Sequence, residues 1–441
     1  MRVLVGEKYY KEKRYALSML LNEFLGLNIV FESSDQNSYT KLLLDNNCVI
    51  TIEDHFFHHY IGTTYLHKRN IPIEIDERRV EDLGNMAFLS LYGPSKVIFN
   101  DKSIVIKGDI IAATFFMLTR WEEAVIATRD RNGRFPANKS LAVRFNFLHR
   151  PIVNEYSEIL WSALKSLDKT LSRKQRKFNF LLTHDVDLPR LWWSPKDFIK
   201  SIGGALVKRK NVKEALTLTQ QYIAGKDPFN VFDWMMDTSE KYGFTSHFFF
   251  MSGGTSDKDN YYKISHNILK ELMNDIMKRG HKIGFHPSFN AYNDRKQFAG
   301  ELELLRKTSG QDITTGRHHF LRFEVPTTWQ IWEDEHMEWD STMSFHDKEG
   351  FRCGVCYPFP VFNIHTREQL KLIERPLTVM EGSFITYQHM KPKYMEQHIK
   401  NLIDIVKSYD GEFVFLWHNS AFRDKKYNDV YKNVLEYASI K

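Results

Sequence analysis

Apolar residues in the C-terminal three-fifths of the chain come in short runs of strand length, separated by longer segments with helical periodicity. The runs are FNFLLT, SHFFFM, HKIGF, HHFLRF, LKLIERPLTVM and FVFLW, in that order from residue 178 onward. Between them lie a long helical insertion, a helix through Met277, a helix through Leu305 and a helix over residues 394–406. Such alternation is typical of βα units. About seven strands in about 260 residues predict a distorted or closed (β/α) barrel.

The first part of the chain mixes strand and helix patterns on a smaller scale. Strand-like runs NIVFE and CVITIE occur among helical segments over residues 15–25 and 110–127, which predicts an α/β domain. A helix over residues 153–167 is followed by the polar stretch DKTLSRKQRK, which interrupts the apolar pattern. We therefore predict a smaller α/β accessory domain over residues 1–170 and the barrel over residues 171–441.

Composition and charge narrow the class of protein. Apolar residues make up 42% of the 441 residues and aromatic residues 14%, enough to fill large cores. The formal net charge of +6 is spread along the chain and does not form the concentrated basic surface of a nucleic-acid binder, so we expect no nucleic-acid partner. Three cysteines are too few for a disulfide framework or a four-cysteine zinc site.

Targeting signals are not evident in the sequence. The N-terminal stretch MRVLVGEKYYKEKR places charged residues where a signal peptide needs an apolar core. No stretch approaches the roughly 20 apolar residues that span a bilayer. We therefore expect a cytoplasmic protein.

Reactive side chains directly follow three of the predicted strands. Asp185 and Asp187 come at the end of FNFLLT, His286 after HKIGF, and His418 after FVFLW. In a (β/α) barrel, the C-terminal ends of the strands meet at one face, where the chemistry takes place. Residues two apart in an extended chain point to the same side, so both aspartates can face one pocket.

These residue types suit a divalent-metal hydrolase. Carboxylate and imidazole are ligands for zinc and related ions, and a catalytic zinc site keeps one position open for water. Asp187 and His286 supply two ligands, while Asp185 and His418 could serve as base and acid. The alternative for each residue is structural, because an aspartate at a strand end often caps a turn and a buried histidine is often only hydrogen-bonded.

The order of these motifs resembles that of the polysaccharide deacetylases, the NodB-homology or carbohydrate esterase family 4 group, over about residues 178–420. THDVD is similar to the family's first motif, which implies Asp185 as catalytic base and Asp187 as metal ligand. GHKIGFHPS is similar to the second motif, whose histidine, here His286, binds the metal. The resemblance implies one divalent metal ion, zinc, as the cofactor.

The chain departs from the family pattern at one metal ligand. The family's second metal histidine would fall four residues after the first, where this chain has Asn290. An amide oxygen is a weaker ligand for zinc than an imidazole, so the site is altered, completed by another group, or lost. His319 in RHHFLRF, which resembles the third motif, is the best substitute, whereas His318 alternates to the opposite face.

The resemblance also assigns supporting residues. In the third motif the arginine, here Arg317, steadies the base aspartate by a charge-assisted hydrogen bond, and Arg322 is the second candidate for that task. EWDSTMSF resembles the fourth motif, which implies that Asp340 orients the acid His418, although Asp340 could instead start a turn. Arg322 and Glu381 are also candidates to line the substrate pocket, with packing or capping as the alternative role of Glu381.

The insertion after the first motif combines aromatic and basic residues. Trp192 and Trp193 could stack on sugar rings. The segment over residues 196–210 is basic and amphipathic, which is typical of a packed surface helix. Peripheral contact with an anionic membrane, or cover of the pocket mouth, is the alternative.

The sequence thus predicts a metal-dependent hydrolase that removes an N-acetyl or related acyl group. The predicted substrate is an amino-sugar glycan, or a lipid- or nucleotide-linked precursor, in bacterial surface-polysaccharide biosynthesis. The N-terminal part resembles the uncharacterised domains that accompany such catalytic domains in bacterial glycan-synthesis proteins. Two alternatives stay open: a catalytically impaired protein of this fold that binds glycans or acts as a scaffold, as Asn290 could indicate, and a deacylase of a non-sugar amide.

Overall fold

The computed structural model describes residues 1–259 and 262–440. Its strands are β1 (Arg2–Gly6), β2 (Val30–Ser34), β3 (Tyr39–Leu43), β4 (Val49–Glu53), β5 (Asp76–Val80), β6 (Met86–Ser90), β7 (Val97–Asn100), β8 (Ser103–Ile106), β9 (Asn179–Val186), β10 (Ser246–Phe250), β11 (Lys282–Phe285), β12 (Thr315–Gly316), β13 (Trp339–Asp340), β14 (Phe359–Asn363), β15 (Glu368–Glu374), β16 (Val379–Met380) and β17 (Glu412–Leu416). Its α-helices are α1 (Tyr10–Ser18), α2 (Ile110–Thr119), α3 (Trp121–Val125), α4 (Leu141–Arg144), α5 (Ile152–Leu167), α6 (Pro195–Gly203), α7 (Val212–Ile223), α8 (Phe232–Lys241), α9 (Asn267–Lys278), α10 (Arg295–Ser309), α11 (Thr327–Asp334), α12 (Pro392–Ser408) and α13 (Lys426–Ser439).

The chain forms two compact units, each built from three stretches. The first unit comprises Met1–Asn179, Leu321–Thr378 and Ile405–Phe413, and the second comprises Phe180–Phe320, Val379–Asp404 and Val414–Lys441. These units group the chain differently from the predicted division at residue 170, because two later stretches belong to the first unit. The predicted mixed α/β fold is confirmed.

The first unit contains a six-stranded mixed sheet in the order β2-β1-β3-β4-β8-β7. The pairs β1/β2 and β4/β8 are parallel, and the pairs β1/β3, β3/β4 and β7/β8 are antiparallel. Along β4, Ile50 and Ile52 are fully buried while their neighbours are partly exposed, as the period of two in a strand requires. Helix α2 is buried along its whole length and forms much of the core.

Long-range contacts tie the later stretches of the first unit to its N-terminal part. The hydroxyl of Tyr15 donates to the carbonyl oxygen of Pro360 at 2.8 Å. The buried guanidinium of Arg352 donates to the buried carboxylate of Glu123 through two nitrogens. Because burial of an unpaired charge is costly, this pair depends on both stretches being present.

The helical segment predicted over residues 110–127 is broken into α2 and α3. The break falls at Arg120, whose φ of 52° lies in the left-handed region and cannot continue a right-handed helix. The buried guanidinium of Arg120 donates to the carboxylates of Glu122 and Glu123, which holds the kinked backbone in place.

The second unit contains strands in the order β12-β11-β10-β9-β17-β16. Strands β9, β10, β11 and β12 run parallel to one another, and β16 runs parallel to β17. Strand β17 is buried throughout, and β9 is exposed only at its first residue, as expected for a sheet covered on both faces. In the part of the chain that the structure describes, the order is open and not circular, so the predicted barrel is not closed.

The run HHFLRF, predicted as a strand, is not one. Strand β12 ends at Gly316, and a single helical turn at residues 319–321 follows. Phe320 and Leu321 have φ values of 61° and 52°, which an extended strand cannot accommodate. Gly316 is required where β12 meets β11, because a Cβ there would lie 1.9 Å from the carbonyl oxygen of Phe285.

None of the helices within the described ranges is long and apolar enough to cross a membrane.

Candidate active site

Strand β9 presents its polar side chains to two different faces. Thr183 and Asp185 share one face, while His184 points to the other. His184 hydrogen-bonds through Nδ1 to the carbonyl oxygen of Trp417 at 2.8 Å and through Nε2 to the hydroxyl of Ser246 at 3.2 Å. Burial lowers the pKa of His184 to about 3, so the ring stays neutral and has a structural role.

The carboxylate of Asp185 is buried and held by an arginine. Nη1 of Arg317 donates to Oδ1 of Asp185 at 3.0 Å and to the hydroxyl of Thr183 at 2.9 Å. The guanidinium carbon also lies 5.2 Å from the ring centroid of Phe249, within cation–π range. Arg317 thus makes the contact that the resemblance implies, whereas Arg322 belongs to the first unit.

Three side chains from separate segments of the second unit meet in one cluster. Asp187, His286 and His319 each offer one possible ligand atom, and these atoms all lie within 4.8 Å of one another. Oδ1 of Asp187 is 3.2 Å from Nε2 of His286 and 3.7 Å from Nε2 of His319. The side chain of Asp187 is 28% exposed while that of His286 is 1% exposed, so the cluster is open to solvent on the aspartate side.

The donor set of this cluster fits a divalent cation. Nδ1 of His286 lies 2.6 Å from the carbonyl oxygen of Arg317, to which it can only donate, so a neutral ring directs the lone pair of Nε2 toward Asp187. Nε2 of His286 and Oδ1 of Asp187 are buried and lack a hydrogen bond among the described residues. Two facing electron-pair donors at this distance need a proton or a cation between them.

The electrostatics of the cluster agree with cation binding. Burial opposes the charge of Asp187, but the imidazoles of His319, His286 and His418 lower its pKa far below the usual range. Burial also opposes protonation of His286, but Asp185 and Asp187 together raise its pKa. A divalent ion would take the place of that proton, as metal binding to histidine generally does.

A carboxylate that the sequence reasoning missed lies behind His319. Oδ1 of Asp259 is 3.6 Å from Nδ1 of His319. Asp259 is itself fixed by the backbone N–H groups of Phe289 at 2.7 Å and Ser256 at 2.8 Å. An acidic group on the far nitrogen of a ligand histidine orients the ring and raises its basicity. Asp259 lies in a loop without a recognisable motif, so no pattern in the sequence points to it.

Asn290 stands at the sequence position of the family's second metal histidine, but its environment is not that of a buried ligand. Its side chain is exposed, and its amide nitrogen donates to the hydroxyl of Thr255 at 3.1 Å. His319, by contrast, lies in the cluster. Of the alternatives left open by the sequence, completion of the site by His319 is the one that the geometry favours.

His418 is held by the carboxylate of Glu381 and also lies near Asp187. Its Nδ1 lies 2.6 Å from Oε1 of Glu381, and its Nε2 lies 3.6 Å from Oδ2 of Asp187. Burial disfavours the charged ring, but Glu381 outweighs this effect and raises the pKa of His418 to about 10. His418 is therefore an imidazolium near neutral pH and can donate a proton from Nε2.

The predicted pairing of His418 with Asp340 is wrong. Asp340 lies in the first unit and accepts a hydrogen bond from the hydroxyl of Thr342. Burial raises the pKa of Glu374 well above its usual range, and the charge of Asp340 adds to this effect. Glu381 takes the expected role because it directly follows β16, which is paired in parallel with β17 so that Met380 lies opposite Leu416. The position of Glu381 after an apolar run marks it as a site candidate in the sequence, but nothing there identifies it as the partner of His418.

The two tryptophans of the insertion have different surroundings. Trp192 is 6% exposed, and its ring nitrogen donates to the hydroxyl of Ser201 at 3.0 Å, so most of its surface serves packing. Trp193 is half-buried and stacks near Tyr262 with 6.4 Å between ring centroids. Both line a cavity of about 230 Å³ together with Arg190 and Tyr222. Contact of Trp192 and Trp193 with substrate stays a prediction.

Substitution of His319 and of Asn290 should show which of the two is the third metal ligand. We expect His319→Ala to lower the affinity for zinc at least about tenfold, because it removes an imidazole from the cluster. Asn290→Ala should leave the affinity unchanged, because its side chain is exposed. Competition titration with a chelating dye measures both. The reverse pattern would show that the asparagine and not the histidine completes the site.

Comparison with known proteins agrees with parts of this picture. Residues 1–169 match the model of a family of unknown function, DUF7033, which confirms that the N-terminal part is an additional, uncharacterised region. No curated protein sequence matches the chain.

Similar solved structures cover about three-fifths of the chain. One is described as a polysaccharide deacetylase from Mycobacterium smegmatis, with 12% identity, 60% of this chain and 85% of that chain covered, and a TM-score of 0.40. Puue allantoinase has 10% identity, coverage of 59% and 83%, and a TM-score of 0.38. A structure described as a polysaccharide deacetylase from Pseudomonas aeruginosa PAO1 has 11% identity, coverage of 59% and 84%, and a TM-score of 0.34.

Proposed function

We propose that the second unit is a metal-dependent hydrolase that removes an N-acetyl or related acyl group from an amino-sugar glycan or its precursor. The observation that carries this proposal is the arrangement around Asp187. A cluster suited to a divalent ion has a carboxylate held by Arg317 near it and an imidazolium held by Glu381 beside it. Cleavage of an amide requires these three elements, because the carbonyl must be polarised, water must lose a proton and the amine must gain one.

Asp187, His286 and His319 would hold one divalent ion, for which zinc is well suited by this ligand set. When bound, the ion supplies Lewis acidity that polarises the scissile carbonyl group and stabilises negative charge on its oxygen. The exposed side of Asp187 leaves access for substrate and water.

Asp185 is the proposed general base. The hydrogen bond from Arg317 to Oδ1 holds the carboxylate and fixes the direction of its other oxygen. Oδ2 of Asp185 lies 3.9 Å from Nε2 of His286, so a water molecule next to the cluster is within reach of the base. The proton moves from this water to the carboxylate as the water attacks the carbonyl carbon.

His418 is the proposed general acid. An amine leaves an acyl carbon readily only if its nitrogen is protonated, and the imidazolium of His418 offers a proton at Nε2 on the solvent-accessible side of Asp187. Glu381 keeps the ring charged and oriented, so that Nδ1 remains engaged while Nε2 donates.

The biological setting is part of the proposal. We propose a cytoplasmic enzyme of bacterial surface-polysaccharide biosynthesis that acts on a lipid- or nucleotide-linked intermediate. The test is a substrate screen with the full chain and added zinc, in which released acetate and free amine are measured. Turnover of N-acetylated amino sugars is expected. Turnover of non-sugar amides alone would overturn the substrate class, and glycan binding with bound zinc but without acetate release would indicate an impaired enzyme.

The role of Glu381 predicts a shift in pH dependence. The acid must be protonated, so activity should fall as the pH rises through the pKa of His418, about 10 in the wild type. Glu381→Gln removes the charge that raises this pKa, so we expect the alkaline limb of the kcat profile to move down by about one to three pH units. Asp340→Asn should leave the limb in place. If the alkaline limb moves in Asp340→Asn and not in Glu381→Gln, Asp340 is the partner of His418, as the resemblance implies.

A further inference from the structure

The insertion that follows Asp187 forms a helical hairpin with an apolar interior. Helix α6, a wider helical turn at Gly204–Lys208, and helix α7 make up the hairpin. Its interior consists of buried or partly buried apolar residues: Trp192, Ala205, Ala215 and Leu218, with Leu191, Phe198, Ile202 and Tyr222 packed against them. The hairpin therefore has its own apolar core. The residues on its other faces do not contribute to this core.

Apolar side chains are concentrated on the outside of the hairpin. Thirteen large hydrophobic residues are exposed in the described part of the chain, and six of them lie within this hairpin: Ile199, Leu206, Val207, Val212, Leu216 and Ile223. Ile199 is 67% exposed, Leu216 60% and Ile223 80%. Single exposed apolar residues are ordinary on a protein surface, but a concentration of this kind marks a contact surface.

The spacing places these residues in stripes along the helices. Val212, Leu216 and Ile223 are separated by four and seven residues, which puts them on one side of α7. Ile199 and Leu206 are separated by seven residues on the other arm of the hairpin. These stripes differ from the interior positions, so the exposure is not a by-product of the packed core.

Positive charge accompanies the apolar stripes. The segment over residues 195–224 has six basic residues and two acidic ones. The basic residues are all exposed: Lys196, Lys200, Lys208, Arg209, Lys210 and Lys213. The acidic residues are both engaged, since Asp197 accepts from Ser194 and Glu214 accepts from Arg209 and Arg423. An excess of four positive charges in one short segment contrasts with +6 for the whole chain.

The hairpin is fixed to the segment that carries the proposed metal ligand. Asp227, at its C-terminal end, accepts from the backbone N–H groups of Leu191 and Trp192, each at 2.9 Å. Asn419, next to His418, donates to the carbonyl oxygen of Leu188 at 2.9 Å. These hydrogen bonds join the two ends of the hairpin to each other a few residues from Asp187. They also attach the segment after Asp187 to Asn419, the neighbour of His418.

We infer that this hairpin docks the protein onto an anionic lipid membrane. Exposed aliphatic side chains can enter the boundary between headgroups and acyl chains, and the lysines around them can contact anionic headgroups. The apolar stripes and the charge excess together fit this occupant, because membrane binding of a helix scales with its buried apolar area and with its attraction to anionic lipids. Docking would place the site described above beside the membrane surface, but it does not depend on the proposed activity.

The test is sedimentation of the full chain with vesicles. Wild-type protein should bind vesicles of phosphatidylglycerol and phosphatidylcholine, bind pure phosphatidylcholine weakly, and lose affinity as salt is raised. The double variant Lys208→Glu/Lys210→Glu should lose at least about thirtyfold in affinity, because each cation near the surface contributes about fivefold. The triple variant Ile199→Ser/Leu216→Ser/Ile223→Ser should lose at least about tenfold.

Matched controls separate this surface from general effects. Ile73, which is 84% exposed in the first unit, provides Ile73→Ser, which should bind as the wild type does. All substituted side chains are exposed, and thermal unfolding of each variant verifies the fold. Absence of wild-type binding, or equal binding by the charge-reversed variant, would overturn the inference. The inference would also be overturned if the protein is a dimer in solution and the apolar triple variant dissociates this dimer without changing vesicle binding. The surface would then join two copies of the chain.

Discussion

Asp185→Asn should reduce kcat by about 10²- to 10⁴-fold while the protein keeps its metal. The reduction follows from loss of the general base, whose contribution is of this size in other hydrolytic reactions. Metal content should persist because the cluster of Asp187, His286 and His319 is intact. The amide retains an oxygen that can accept from Arg317, which limits the structural disturbance. Elemental analysis together with acetate release measures both quantities.

The matched control for this experiment is Asp275→Asn, an isosteric change at an aspartate on α9 that is 60% exposed. It should leave both kcat and metal content at the wild-type level. Wild-type turnover by Asp185→Asn would assign the base to another group. Loss of metal from Asp185→Asn, with an unchanged fold, would place this carboxylate among the ligands.

Removal of either central ligand should abolish stoichiometric metal binding. We expect Asp187→Ala and His286→Ala to lower zinc affinity by at least about 100-fold, because each leaves two protein ligands at most. Activity should fall with it. A second readout is thermal unfolding, because a ligand at 100 times its dissociation constant stabilises a protein by about 2.7 kcal/mol. A chelator should therefore lower the Tm of the wild type and leave the Tm of both variants unchanged.

His389→Asn is the control for loss of a histidine, because His389 is exposed and its φ of 50° suits asparagine. This variant should retain zinc and show the same response to chelator as the wild type. If Asp187→Ala and His286→Ala also retain one tightly bound zinc, the ion is held elsewhere and the proposed site is wrong.

The sequence predicted the elements of the second unit that arise from local patterns. Strands β9, β10, β11 and β17 are apolar runs bounded by polar residues, and such runs identify buried strands without knowledge of their neighbours. Because the residue after each strand is placed by the end of that strand, Asp187, His286 and His418 could be grouped in advance. The structure brings these three together.

Features that depend on strand order could not be predicted in this way. Strand β16 has only two residues, and its pairing with β17 alone places Glu381 beside His418. His319 was named through the resemblance to the third motif, but the turn with positive φ at Phe320 was not predicted, because local propensity favours a strand there. Asp259 acts through a contact between a loop and a distant histidine, for which a single sequence carries no signal.

The first unit is built from three stretches that are separated in the sequence, and this affects how the chain could be divided into independent domains. The DUF7033 match ends at residue 169, yet the buried carboxylate of Glu123 is neutralised by Arg352, and Tyr15 is hydrogen-bonded to Pro360. A gene that encoded only the residues after the match would leave Arg352 without its counter-ion and expose apolar surface from β14. Recombination at that boundary would thus yield an incomplete fold, so the N-terminal region and its C-terminal complement must be inherited as one piece.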